Sequence, residues 1–175
     1  MKETSKLESK RRKLGYYDKY FVGNGLEIGG GTDPLVSDKA TITQHTLPNG
    51  SSYILPFKDA QFDFVYASHV LEHFREPAIV LREWLRVVKH GGFVFFAVPD
   101  FILYEKGVFP SQFNAAHKSF FAVEYLQELL SERFSGCRVE LLYLEDQDYD
   151  YNKPLELDQT RGGASAQIEC CIKKC

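Results

Sequence analysis

The residues best able to do chemistry gather at two places in the chain. One is a glycine-rich turn, Leu26-Glu27-Ile28-Gly29-Gly30-Gly31-Thr32-Asp33-Pro34. Three glycines directly after an apolar run let the backbone approach a ligand closely and adopt positive φ. A Gly-x-Gly-x-x-Gly dinucleotide fingerprint starting at Gly29 would need glycine at position 34, where the chain has Pro34. This leaves an NAD-dependent oxidoreductase a distant reading. Asp33 places a carboxylate in the turn with no lysine to offset it, and no Gly-Lys-Ser/Thr phosphate loop occurs. The turn therefore suits a cationic or zwitterionic ligand better than a phosphate. The other place is the histidines. His69, His73 and His117 carry imidazoles, the side chain most often used as a general base, and are the base candidates, with His73 also readable as a packing or capping residue. Asp100, just after Pro99, is a candidate substrate contact, and Tyr104, Phe101 and Phe109 are candidate walls of an acceptor pocket.

These residues need strands and helices to position them. Gly25–Gly29 reads as a short buried strand, with further strand candidates at Ala40–Thr43, Ser52–Leu55 and Phe62–Ala67. Pro77 suits the first turn of a helix whose face is Val80, Leu81, Trp84, Leu85, Val87 and Val88, with Gly91-Gly92 as its stop. Phe93–Val98 is apolar at every position, as a strand covered on both faces would be. A second helix is predicted over Val123–Phe134, and strands Arg138–Leu144 and Ala166–Lys173 form a closing antiparallel hairpin. Strands alternating with helices imply an α/β fold with a mostly parallel sheet. In such sheets ligands bind at the carboxyl ends of strands where the strand order reverses, which draws attention to the turn after Ile28 and to Ser68-His69.

The chain's 175 residues, 44% of them hydrophobic and 26% charged, suffice for one domain with a real core and leave no room for a second full-sized domain. We expect residues 1–20 to be a basic leader helix, with seven basic side chains against three acidic ones, solvated and frayed, and 21–175 to be the α/β domain. The net charge of −3 excludes a broadly basic nucleic-acid binder. No apolar stretch approaches the length of a membrane span, and the charged N-terminus has no signal-peptide core, so a cytoplasmic location is expected. Cys137, Cys170, Cys171 and Cys175 form no Cys-x-x-Cys pair and no zinc-ligand pattern with histidine. Reduced thiols are expected, and no metal site is assigned. The acidic run Glu145, Asp146, Asp148, Asp150, Glu156 and Asp158 reads as a surface loop.

Leu26-Glu-Ile-Gly-Gly-Gly-Thr32 resembles the first motif of class I S-adenosylmethionine-dependent methyltransferases. The resemblance continues through Leu55-Pro-Phe57, Asp59, Phe62–Val65, Ser68-His-Val-Leu-Glu-His73, Leu81–Lys89, Gly91-Gly92, Val98-Pro-Asp100, His117, Phe120-Phe121 and Glu124–Leu126. This ordered series is similar to the small type 11 methyltransferase group and covers about residues 24–135. It implies a single-domain Rossmann-like methyltransferase fold that binds S-adenosylmethionine and transfers a methyl group to an oxygen or nitrogen of a small-molecule or glycan-type acceptor. It also implies that Gly29, Gly30, Gly31 and Thr32 lie against the cofactor, that Glu27 holds its ammonium, and that Ser68 and His69 line the sulfonium side. His69 and His117 would be the catalytic histidines, and Asp100, Tyr104 and His117 would meet the acceptor.

The family pattern places an acid at the end of the second strand for the ribose, and another before Leu-Pro-Phe for the adenine. Here those segments read Ile42-Thr-Gln-His-Thr46 and Gly50-Ser-Ser-Tyr53. Gln44, His45, Ser52 and Tyr53 are the candidates to take over, through weaker neutral hydrogen bonds. The segments joining the first strands are too short for the family's usual helices, and Ala122 stands where a Ser or Thr cap is usual. A methyltransferase-like binding module without catalysis is the alternative reading. The sequence does not specify an oligomeric state.

Overall fold

The computed structural model describes residues 3–47, 53–134, 138–140 and 166–175. The strands are β1 (Gly23–Ile28), β2 (Ala40–His45), β3 (Phe62–Ser68), β4 (Val88–Pro99), β5 (Arg138–Glu140) and β6 (Gln167–Lys173). They form one sheet in the order β2-β1-β3-β4-β6-β5. The first four run parallel, and β6 returns antiparallel between β4 and β5. This is the expected α/β architecture with its antiparallel C-terminal pair. Among the described residues no helix joins β1 to β2 or β2 to β3, matching the expected economy.

The strand period of two divides the core between the faces. Val65 and Ala67 of β3 pack with Val94 and Phe96 beneath α4 (Pro77–Val87) and α5 (Val123–Arg133), where Leu81, Trp84, Leu126 and Leu130 are buried. Phe64 and Tyr66 point the other way, with Phe95 and Cys171. Their cover is the N-terminal segment. It is not one solvated helix but three short ones, α1 (Glu3–Lys6), α2 (Glu8–Lys13) and α3 (Tyr16–Lys19). The expectation of a frayed leader fails because its aromatics hold the second face. Tyr16, Tyr17, Tyr20 and Phe21 are buried on the sheet, with Phe21 meeting Phe64, Tyr66 and Phe95 edge-on or tilted at 5.2–5.6 Å. Arg11 is fully buried with them. It donates from Nε to Glu169 Oε1 on β6 at 2.8 Å, closes a second bond to the same oxygen from Nη2, and donates from Nη1 to Tyr66 Oη at 2.8 Å.

Two further expectations change. Residues 53–55 are not strand but an irregular segment. Arg86 of α4 grips this segment by donating to the carbonyls of Leu55 and Phe57 and to Asp59, while Glu83 accepts from the Leu55 amide at 2.7 Å. These anchors satisfy its backbone groups without a neighbouring strand. Gly91-Gly92 does not cap α4 either, for the helix ends at Val87 and Val88 is already extended. The Lys174 ammonium takes the capping role, donating to the carbonyls of Leu85 and Val88 at 2.8 and 2.7 Å, a favourable place for positive charge. The glycines sit instead in a bulge, where β4 advances from Val88 to Phe93 while β3 advances from Phe62 to Phe64. There Gly91 has φ 79°. The predicted strand residues 141–144, Cys137 and the acidic loop lie outside the described residues. Cys170 and Cys171 are buried in β6, and Cys175 is exposed.

The buried Arg11–Glu169 pair yields a stability prediction. Arg11→Ala leaves a carboxylate in the interior without its partner and is expected to cost about 3–5 kcal/mol in urea unfolding. The double variant Arg11→Met with Glu169→Leu should recover most of that loss.

Candidate functional site

The strand order reverses between β1 and β3, so the loops leaving Ile28 and Ser68 diverge and open a crevice at the carboxyl edge of the sheet. Two adjoining cavities lie there. The smaller, about 150 Å³, is lined by Gly30, Ser68, Glu72, Tyr104 and His117 among others. The larger, about 370 Å³, is lined by Thr46, Leu47, Val70, Phe74 and their neighbours. Gly29, His69 and His73 face both.

On the β1 side the backbone itself forms the wall. Gly29 has φ 76°, and a Cβ there would lie 2.5 Å from Val70 Cγ2. A Cβ on Gly30 would meet the Glu27 carboxylate at 2.6 Å and Gln44 Oε1 at 2.8 Å. Glu27 is buried at the carboxyl end of β1, and both its oxygens accept from the Leu35 amide at 2.9 Å. Gln44, its register partner on β2, donates to Oε2. Burial pushes the Glu27 carboxyl up, against the opposing effect of these hydrogen bonds. Asp33 accepts the amides of Thr4 and Ser5 at 2.7 and 3.0 Å, and so ties the leader to the glycine turn. Thr4 thereby becomes part of the smaller cavity's wall.

On the β3 side His69 takes a left-handed backbone, φ 54°, and its amide donates to Ala97 O at 2.9 Å. Its Nε2 lies 2.8 Å from Gln167 Oε1, an acceptor, so in the neutral ring Nε2 carries the proton and Nδ1 the lone pair. Next comes a 3₁₀ turn, Leu71–His73. The Glu72 carbonyl accepts the amides of Lys118 and Ser119 at 2.7 and 3.1 Å, which brings His117 against the turn. His117 Nδ1 is bonded to Glu105 Oε1 at 2.5 Å, and His73 Nδ1 to Ala116 O at 3.1 Å. Burial holds the His73 imidazole below its ordinary pKa, which favours the neutral ring. Around Glu72 Oε1 stand His69 Nδ1 at 3.6 Å, His73 Nε2 at 3.9 Å and His117 Nε2 at 3.9 Å.

The structure thus brings together Gly29, Gly30, Ser68, His69, Tyr104 and His117 of the candidate residues. Gly31, with φ 52°, continues the turn, and Thr32 is exposed on it. Gln44 faces Glu27. His45 stands edge-on to Phe57 with ring centres 5.4 Å apart, and Tyr53 packs on Phe74 at 5.6 Å. Ser52 lies outside the described residues. Asp100 is buried, and its Oδ1 accepts the amides of Ile102 and Leu103, both at 2.8 Å. It caps the turn that carries Tyr104, and it lines neither cavity. Glu72 and Glu105 are the residues that sequence reasoning missed. The spacing His69-x-x-Glu72-His73 was a signal for Glu72, although it spans a strand end and a 3₁₀ turn here, not a helix.

Gly29→Ala should strain the left-handed turn and press Val70, at a combined cost of about 2–4 kcal/mol. Thermal or urea unfolding measures it, and an unchanged midpoint would refute the packing described.

Comparison with known proteins agrees with this geometry. A family model described as a methyltransferase domain matches residues 26–96. A protein of Schizosaccharomyces pombe described as an uncharacterized methyltransferase is 49% identical over 45 residues, which are 26% of this chain and 16% of that protein. The chain therefore matches only a small part of that relative's length. Among solved structures, S-adenosylmethionine-dependent methyltransferases of Aquifex aeolicus and Archaeoglobus fulgidus superpose with TM-scores of 0.61, at 14% and 16% identity. In both cases the match covers 99% of this chain and 95% of the other. Likeness at that identity is likeness of fold. The chain is thus similar to methyltransferases in sequence across residues 26–96 and in fold over nearly its whole length.

Proposed function

We propose that the protein is an S-adenosylmethionine-dependent methyltransferase acting on an oxygen or nitrogen of a small-molecule or glycan-type acceptor. The observation that carries this reading is the crevice between β1 and β3, where the glycine turn and His69 share the walls of two adjoining cavities. The larger cavity falls within the usual volume range of small-molecule sites. The residues present fit the cofactor's chemistry, since the turn offers bare backbone at Gly29–Gly31 and a buried carboxylate, Glu27, directly beneath it for a cationic group.

S-adenosylmethionine, when bound, supplies a methyl carbon already activated by the adjoining positive sulfur. The chain's task is then to align the acceptor and exclude water, so positioning does most of the catalysis. Ser68 and His69 form the wall at the end of β3, while Tyr104 and His117 close the smaller cavity from the 100–117 segment. A hydroxyl acceptor must also lose a proton. His117 is built for that, because Glu105 holds its Nδ1 proton and orients the ring as a triad carboxylate orients its imidazole.

One observation favours the alternative of a non-catalytic binding module. Gln44 replaces the ribose-binding acid, and its amide is occupied by Glu27. Isothermal titration separates the two readings. Saturable binding of S-adenosylmethionine and of its demethylated product, weakened at least tenfold in Gly30→Val, is the expected result. No heat at millimolar ligand would overturn the cofactor assignment.

A further inference from the structure

The side chains around Glu72 have an arrangement that methyl transfer does not require. We propose that Glu72, His73 and His117 form a binding site for a divalent cation of the zinc class. One ligand atom from each lies within 4.8 Å of the others, and the Nε2 atoms of His73 and His117 each stand 3.9 Å from Glu72 Oε1. The 3.9 Å separations between Glu72 Oε1 and each Nε2 are too long for hydrogen bonds. They suit atoms that meet through a common ion. Zinc bonds of about 2.0–2.2 Å require the three atoms to close by about an ångström, within reach of side-chain rotation on a turn and a loop.

The outer contacts strengthen the assignment. Imidazole ligands of a metal hand their second nitrogen to a carbonyl or carboxylate, which selects the tautomer and aims the lone pair inward. Both histidines do this, His73 through Nδ1 to the Ala116 carbonyl and His117 through Nδ1 to the Glu105 carboxylate. The Glu72 and His117 side chains are only 1% and 3% exposed, so the cation would place its charge beside a carboxylate withdrawn from water. Two imidazoles and one carboxylate are a zinc-class donor set, whereas magnesium and calcium prefer oxygen alone. All three residues line the smaller cavity, so the fourth coordination position opens into it, as in catalytic rather than closed structural sites. With the cation in place His117 is a ligand, and His69 remains the imidazole of the cavity wall.

The test uses the full chain in a Cys175→Ser background, stripped with chelator, so that the exposed thiol cannot contribute. Titration with Zn²⁺ should show one ion per chain, with affinity reduced at least about 100-fold in Glu72→Gln and His117→Gln and unchanged in His90→Gln, which lies in the β4 bulge. Co²⁺ titration of the unsubstituted site should give the visible absorption of a four-coordinate nitrogen–oxygen complex. This readout depends on neither the folding of the variants nor methyl transfer. Absence of the cobalt spectrum, absence of zinc binding, or equal binding by Glu72→Gln and His117→Gln would each overturn the proposal. Failure of cofactor binding would leave it untouched.

Discussion

A buried ion pair ties the two ends of the chain to the middle of the sheet. Arg11, on the second helix, reaches Glu169 on the strand inserted between β4 and β5, and both side chains are shielded from water. Burying two ions is costly unless they are paired and hydrogen-bonded. Here Tyr66 and Gln167 add hydrogen bonds, Tyr66 accepting from Arg11 and Gln167 donating to Glu169 at 3.2 Å. Gln167 then passes the connection to His69, so the leader, the last strand and the crevice share one polar network. Beside that anchor the aromatic layer of Tyr16, Tyr17, Tyr20 and Phe21 covers the second sheet face.

The short connections give individual side chains more than one duty. Glu27 lies beneath the glycine turn and also receives the Leu35 amide, which steadies the helix-free crossing from β1 to β2. Asp33, which made the turn unfit for phosphate, ties down the first residues of the leader. Where larger folds use a helix to position a loop, this one uses a carboxylate accepting backbone amides. The site therefore depends on few contacts, each of which does more than one thing.

The family-like residues divide into two physical groups. Leu55, Phe57, Asp59, Glu83 and Arg86 form a clasp between a loop and α4, away from the crevice. Gly29, Ser68, His69, Glu72 and His73 face the cavities. Both groups look alike in the sequence, since each is a short string of polar and apolar residues. Only their placement, against α4 or facing the cavities, separates clasp from site.

The local pattern determined the elements. The all-apolar run 93–98, the helical face of Val80 to Val87 and the glycine stop after Ile28 each specify a strand, helix or turn from neighbouring residues, and the sheet follows from their alternation. The glycine turn and His69 were legible for the same reason, because a ligand at a switch point must meet whatever follows those strands. Tertiary structure alone decided the rest. Nothing near Arg11 in the sequence announces Glu169, 158 positions away, so a basic leader read as solvated. Asp100 read as a substrate contact until its turn took both amides of its neighbours. Glu72 gained its ring of imidazoles only when Lys118 and Ser119 bonded to its carbonyl and drew His117 in. Burial and long-range pairing depend on the whole chain's path, and a residue's immediate neighbours do not encode it.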